Sequence, residues 1–165
     1  MLVFLLVGLL GVAVLQYRSA RALPKPLRGA TLFSNERGLK IAEPIALSGR
    51  PDQVWQSTNG SLVVTDTKTR TTTRVYDSDI VQLSAYAYML RAEGHPVHDT
   101  AYVRTPARFG SRYTPVELLP GAAIEALHAR YHAVMAGTTE PRCNAGEALC
   151  RHCGHQPRCP RWVED

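Results

Sequence analysis

Leu62-Val63-Val64-Thr65-Asp66-Thr67-Lys68-Thr69-Arg70 is an apolar run that turns into a polar one carrying a carboxylate and an ammonium two residues apart. Read as a β-strand, the run puts Asp66 and Lys68 on the same face of a sheet, because side chains alternate with a period of two. A second acid, Asp52, ends Gly49-Arg50-Pro51-Asp52, and the Asn59-Gly60 pair downstream predicts a turn that folds the Asp52 strand back against the Asp66 strand. Two carboxylates and a lysine then share one small space. Carboxylates hold hard divalent cations, a held cation lowers the pKa of a bound water, and a lysine steadies attacking water or charge developing on a phosphate. The same residues also suit a solvated strand edge with a turn-forming aspartate, so the next segment has to separate the two readings.

From Asp77 to Arg91 the chain carries helical periodicity, with Asp77 as the expected N-cap and Ile80, Leu83, Ala87 and Leu90 as an apolar stripe. Gln82 and Tyr86 are four residues apart, so they share a neighbouring face and can point together at one site.

Gly49-Arg50-Pro51-Asp52, the hairpin into Val63-Val64-Thr65-Asp66-Thr67-Lys68-Thr69, and Asp79 to Leu90 together resemble the PD-(D/E)XK nuclease clan. Within it, the likeness is to the RecB-like group that includes the CRISPR-associated Cas family four exonucleases, and it runs from about Leu47 to Pro160. The resemblance implies an α/β restriction-endonuclease-like core, a mixed sheet flanked by helices, and a Mg- or Mn-dependent DNA nuclease of exonuclease-like type. It implies that Asp52 and Asp66 are metal ligands with the Thr67 backbone carbonyl as a third, that Lys68 is catalytic, and that Gln82 and Tyr86 form a supporting Gln-x-x-x-Tyr motif.

All four cysteines fall in the last quarter of the chain: Cys143, Cys150, Cys153 and Cys159. Clustered thiols in an otherwise cysteine-free chain point to a metal site. In the family resembled, the last three would join a cysteine ahead of the nuclease core around a [4Fe-4S] cluster, but here no cysteine precedes Asp52. Cys143 is the candidate fourth ligand. A four-iron cluster and a tetrahedral zinc both accept four thiolates, and His152 or His155 can replace one of them in a zinc site, while disulfides are the non-metal alternative. A further departure is that no histidine lies upstream of the first acid, so one ligand that RecB-like nucleases often supply is missing. The alternative function is therefore a weak or inactive nucleic-acid-binding or scaffold protein with the same fold. His128 and His132 are spaced i and i+4 on a predicted helix but lack the His-Glu-x-x-His pattern, which favours surface or packing roles.

Met1 to Leu15 is almost wholly apolar and is followed by Arg18, Arg21, Lys25 and Arg28. A helix through about Ala20 would cross most of a ~30 Å hydrocarbon core, and cations only on its C-terminal side predict a single-pass anchor in the cytoplasmic membrane with the body in the cytoplasm. A cleaved signal peptide, with Ala20-Arg21-Ala22 as its site, is the alternative. The expected organisation is an anchor over 1–21, a basic juxtamembrane linker and lead-in over 22–44, a nuclease-like core over 45–140 and a Cys-rich tail over 141–165. Strands are predicted near 45–55, 62–69, 101–104 and 113–118, and helices near 78–93 and 122–136. Without the anchor the chain suffices for one domain with a real core but not two, and it shows no internal repeat.

The formal charge of +5 suits an anionic partner. In Arg104 to Tyr113, the residues Arg104, Arg108 and Arg112 interleave with Phe109 and Tyr113. Such a loop could bind phosphates and stack an unpaired base, which makes DNA, duplex or single-stranded, the expected partner. A solvated hairpin connection is the equal alternative.

Overall fold

The computed structural model describes residues 23–70, 72–107, 110–140, 146–154, 156 and 159. The expected membrane anchor, Arg108, Phe109, Cys143 and His155 lie outside the described residues. Among the described residues, no helix is long and apolar enough to cross a membrane.

Two compact units divide the chain, residues 1–128 and 129–165. The first holds a five-stranded sheet in the order β1-β4-β5-β6-β7, formed by Thr31–Asn35, Gln53–Gln56, Leu62–Thr67, Thr100–Pro106 and Ser111–Glu117. A separate two-stranded sheet joins β2 (Leu39–Ile41) to β3 (Leu47–Gly49). All neighbours in the large sheet are antiparallel except β5 and β6. Parallel neighbours need a long crossover, and helix α1 (Asp77–Ala92) supplies it.

Alternation along the strands decides both faces. Leu62 and Val64 of β5, Ala101 and Val103 of β6, and Val116 of β7 face α1 and bury against Leu83, Ala87 and Leu90. Val63 and Tyr102 point the other way, to Leu27 in a 3-10 turn (Lys25–Leu27), with Trp55 and Tyr113 partly buried beside them. The expected α1 stripe is thus the observed one, with Ile80 at its margin. β2 and β3 lay Leu39, Ile41 and Leu47 against the same core.

The strand expected over 45–55 breaks in two. β3 and β4 belong to different sheets, and Arg50-Pro51-Asp52 is the crossing between them. Proline has no N–H to give a ladder, and Pro51 is wholly buried at the change of direction. The Asn59-Gly60 turn is where sequence placed it: Gly60 has φ +87° and Ser57 N donates to Ser61 O at 2.9 Å. The sheet begins earlier than the core boundary read at residue 45, because β1 in the expected lead-in pairs with β4. β1 shows no alternation, with four of its five residues exposed, which is why periodicity did not reveal it.

The N-terminus of α1 also differs from expectation. Tyr76, not Asp77, is the N-cap, and Asp79 at N3 accepts a hydrogen bond from the Tyr76 backbone N–H at 2.9 Å. A side chain at N3 reaches back to the cap, whereas one at N1 points away from it. Helix α2 (Gly121–Met135) begins in the first unit, where Tyr88 donates to Glu125 at 2.8 Å. The second unit continues α2 through a turn at Gly137, φ +71°, and includes the short helix α3 (Glu147–Cys150).

Candidate active site

Asp66 and Asp52 meet because of strand register. Gln53 pairs with Thr65, so one step further along this antiparallel pair Asp52 stands opposite Asp66. Two backbone groups hold Asp52: Glu36 N donates to its carbonyl at 2.9 Å and Thr67 N to its Oδ2 at 2.7 Å. Asp66 lies on the α1 side of β5, 3% exposed. Lys68 follows on the same side, its backbone N–H donating to Arg104 O at 2.9 Å and so prolonging the pairing with β6.

Across from them, α1 presents Gln82 and Tyr86. Gln82 is the hub: its Nε2 donates to Asp66 Oδ1 at 3.1 Å and to Tyr86 Oη at 2.9 Å, and its Oε1 accepts from Lys68 Nζ at 2.8 Å. The amide can do this because it has two donors and an acceptor on one planar group. Five sequence-expected residues, Asp52, Asp66, Lys68, Gln82 and Tyr86, are therefore gathered at one end of the sheet, with the Thr67 backbone between the two carboxylates. A Cβ at Gly49 would lie 2.6 Å from Tyr86 Cε1. Glycine is required there so that β3 can pass beneath the Tyr86 ring. Gly49→Ala is expected to push the ring off Gln82 and to cost about 1–3 kcal/mol, as overpacking does. Denaturant unfolding checks this, and a loss below about 0.5 kcal/mol would show that the ring is not confined.

Lys68 Nζ stands 2.8 Å from Asp66 Oδ2 as an ion pair, yet that oxygen is buried without a hydrogen bond. The ammonium approaches outside the hydrogen-bonding directions, so the contact is chiefly one of charge. Burial raises the Asp66 pKa, Lys68 opposes the rise, and the neighbouring Asp52 and Asp79 charges add to it. A buried carboxylate oxygen with unused lone pairs, beside a second carboxylate, has the chemistry of a site for a hard divalent cation. Among the described residues no third His, Cys, Asp or Glu completes such a group.

Two residues the sequence reading passed over support the lysine. Asp79, 3% exposed, takes both terminal guanidinium nitrogens of Arg70, with Nη1 at 3.3 Å from Oδ1, and its Oδ1 lies 3.8 Å from Lys68 Nζ. Burial works to raise the Asp79 pKa, but Arg70, the Tyr76 N–H and Lys68 outweigh it and the net shift is downward. The available signal was the Tyr76-x-x-Asp79 spacing of an acid three residues after a helix cap.

β6 and β7 are antiparallel neighbours, and their register splits the described residues between Arg104 and Tyr113 over the two faces. Arg104 pairs with Tyr113 on the side away from the carboxylates, where Tyr113 packs on the second core, while Arg112 pairs with Thr105 and is exposed on the α1 side. Arg104 and Tyr113 thus share one face and Arg112 lies on the other, because neighbours in register share a face and successive residues do not. Of the tail, Cys150 is buried, Cys153 exposed and Cys159 half-buried. Among the described residues no three potential ligands there converge on a metal position.

A mixed sheet that sets two carboxylates and a lysine side by side at a strand end, braced by an amide from the crossover helix, is the core of a nuclease-like protein. The sequence match agrees over nearly the whole chain, residues 12–160. The chain belongs to the PD-(D/E)XK nuclease superfamily. No curated protein matches it. The crystal structure of SSO0001 is similar over 94% of this chain and 71% of its own, at 16% identity and a TM-score of 0.49.

Proposed function

We propose that this protein is a Mg- or Mn-dependent deoxyribonuclease that hydrolyses phosphodiester bonds. The observation that carries the reading is the buried Asp66 carboxylate with Asp52 opposite it in the β4–β5 register and Lys68 Nζ 2.8 Å from its Oδ2. In this reading Asp52, Asp66 and the Thr67 carbonyl hold the cation. When bound, the cation lowers the pKa of a water and offsets charge on the phosphate. Lys68, its ammonium held by Gln82 Oε1 and Asp66 Oδ2 with Asp79 beside it, would steady the attacking water or the charge on the phosphate. Gln82 holds the Asp66 carboxylate by its other oxygen, and Tyr86 fixes Gln82.

Finer parts of the proposal rest on sequence. The motif order supports a RecB-like, exonuclease-like enzyme, and the apolar Met1 to Leu15 segment with cations behind it supports a single-pass anchor with a cytoplasmic body. Cys143, Cys150, Cys153 and Cys159 support one tail centre, [4Fe-4S] or zinc. The absence of a third His, Cys, Asp or Glu ligand among the described residues favours, as a second reading, a weak or inactive nucleic-acid-binding protein. Cleavage of end-labelled single- and double-stranded DNA with Mn, compared between wild type and folded Lys68→Ala, separates the two. Rates that fall about a hundredfold or more in the variant are expected; equal rates, or binding with no cation-dependent cleavage by wild type, would leave only the second reading.

A further inference from the structure

Three cations follow Asp66 in close succession: Lys68, Arg70 and Arg74. Lys68 is neutralised by Asp66, and Arg70 by Asp79. Arg74 is exposed and has no carboxylate within ion-pair range among the described residues. It is nevertheless held in place. Its carbonyl accepts from Arg70 Nη2 at 2.8 Å, its N–H donates to Thr72 Oγ1 at 3.1 Å, and its guanidinium stacks 5.3 Å from the centroid of the Tyr76 ring. Tyr76 is 41% exposed, and Arg70 also lies over its ring, 4.8 Å from the centroid. Since Asp79 pairs with both Arg70 and Lys68, this stack is joined to the lysine of the site through two ion pairs.

Because Lys68 and Arg70 already engage Asp66 and Asp79, the Arg74 charge has, among the described residues, no carboxylate partner of its own and is open to an anionic ligand. A planar, stacked guanidinium is also suited to grip a phosphate with two N–H groups. We infer that Arg74, oriented by Tyr76, binds a backbone phosphate of the substrate strand adjacent to the one that is cut; this rests on the nuclease reading above.

The test is binding of a fluorescently labelled single-stranded deoxyoligonucleotide to the full-length protein, followed by anisotropy across a salt series with a chelator present so that nothing is cut. Arg74→Ala is expected to weaken binding about five- to tenfold near ~50 mM salt and to reduce the slope of log K against log salt by about 0.7, the value of one single-strand phosphate contact. Arg74→Lys should restore the slope but only part of the affinity, and Tyr76→Leu should lose affinity with the slope kept. Lys25→Ala, an exposed cation on the far face of the sheet, should match wild type. If wild type binds and cleaves while Arg74→Ala binds as wild type does, or if Lys25→Ala loses as much as Arg74→Ala, the subsite is overturned and the nuclease reading stands. If wild type binds no oligonucleotide, the subsite falls, and cleavage of single- and double-stranded DNA with Mn decides the nuclease reading separately.

Discussion

Replacing Asp66 by asparagine is expected to abolish cation-dependent cleavage, by about a thousandfold or more, while leaving the metal-free protein at least as stable as wild type near pH 7. The rate loss follows from removing one of two carboxylates that together hold the cation, since a neutral amide oxygen gives up the charge that binds it. The stability result follows from the sign of the Asp66 shift. Its folded-state pKa is raised, chiefly by burial, so between the unfolded value, ~3.9, and the raised one the native state holds the extra proton. Stability therefore falls as pH rises through that interval, and an uncharged asparagine escapes the fall. Thermal unfolding in chelator should show wild type and variant converging as the pH drops below about 4 and separating above it, with the variant ahead. A variant that still cleaves within tenfold of wild type would remove Asp66 from the cation site. A variant that is less stable at neutral pH would show that its charge, paired with Lys68, is a net support of the fold.

Asp79→Ala is expected to give the largest loss of stability of any single change near the site, about 3 kcal/mol. Removing one partner of a buried ion pair strands the other, and here the loss also takes away the acceptor for the Tyr76 N–H at the start of α1. The lower end of the usual range applies because the Arg70 and Lys68 side chains are 23% and 25% exposed, so water takes up part of their charge. The pH signature is opposite to that of Asp66. Asp79 has a lowered pKa despite its burial, so its contribution is present above the unfolded value of ~3.9 and is lost as pH falls through the folded one. Asp79→Asn, which keeps an acceptor for the helix N-terminus but not the charge, should lose less at neutral pH and should lack this acid-side decline. Denaturant midpoints of the three proteins between about pH 3 and 7 decide it; equal midpoints at neutral pH would show that Arg70 and Lys68 are fully solvated without Asp79.

Of the site, the side chains on β5 and α1 were legible in the sequence because their spacing fixes their direction. Asp66 and Lys68 share a face through the strand period, Gln82 and Tyr86 through the helix turn, and the Asn59-Gly60 turn brings Asp52 back to them. These are local rules, and a strand and a helix obey them wherever they sit. Composition could not show that Arg70 and Lys68 share one buried acid, since Asp79 is nine and eleven residues from them and its role depends on how α1 docks on the sheet.

The segment from Arg104 to Tyr113 shows the same limit from the other side. The arginines and aromatics interleave in sequence, but pairing of β6 with β7 sets Arg104 and Tyr113 on one face and Arg112 on the other. β1 likewise carries no pattern of its own, and only its hydrogen bonds to β4 make it part of the sheet. Sequence alone thus determined which groups could do the chemistry and how each leaves its own element, since backbone geometry repeats every two or 3.6 residues. Tertiary structure alone decided which of them meet. Register and docking are set by burying apolar surface across distant segments, and in burying it the fold leaves Asp66 Oδ2 without a hydrogen bond, ties Lys68 and Arg70 to Asp79, and leaves Arg74 facing solvent.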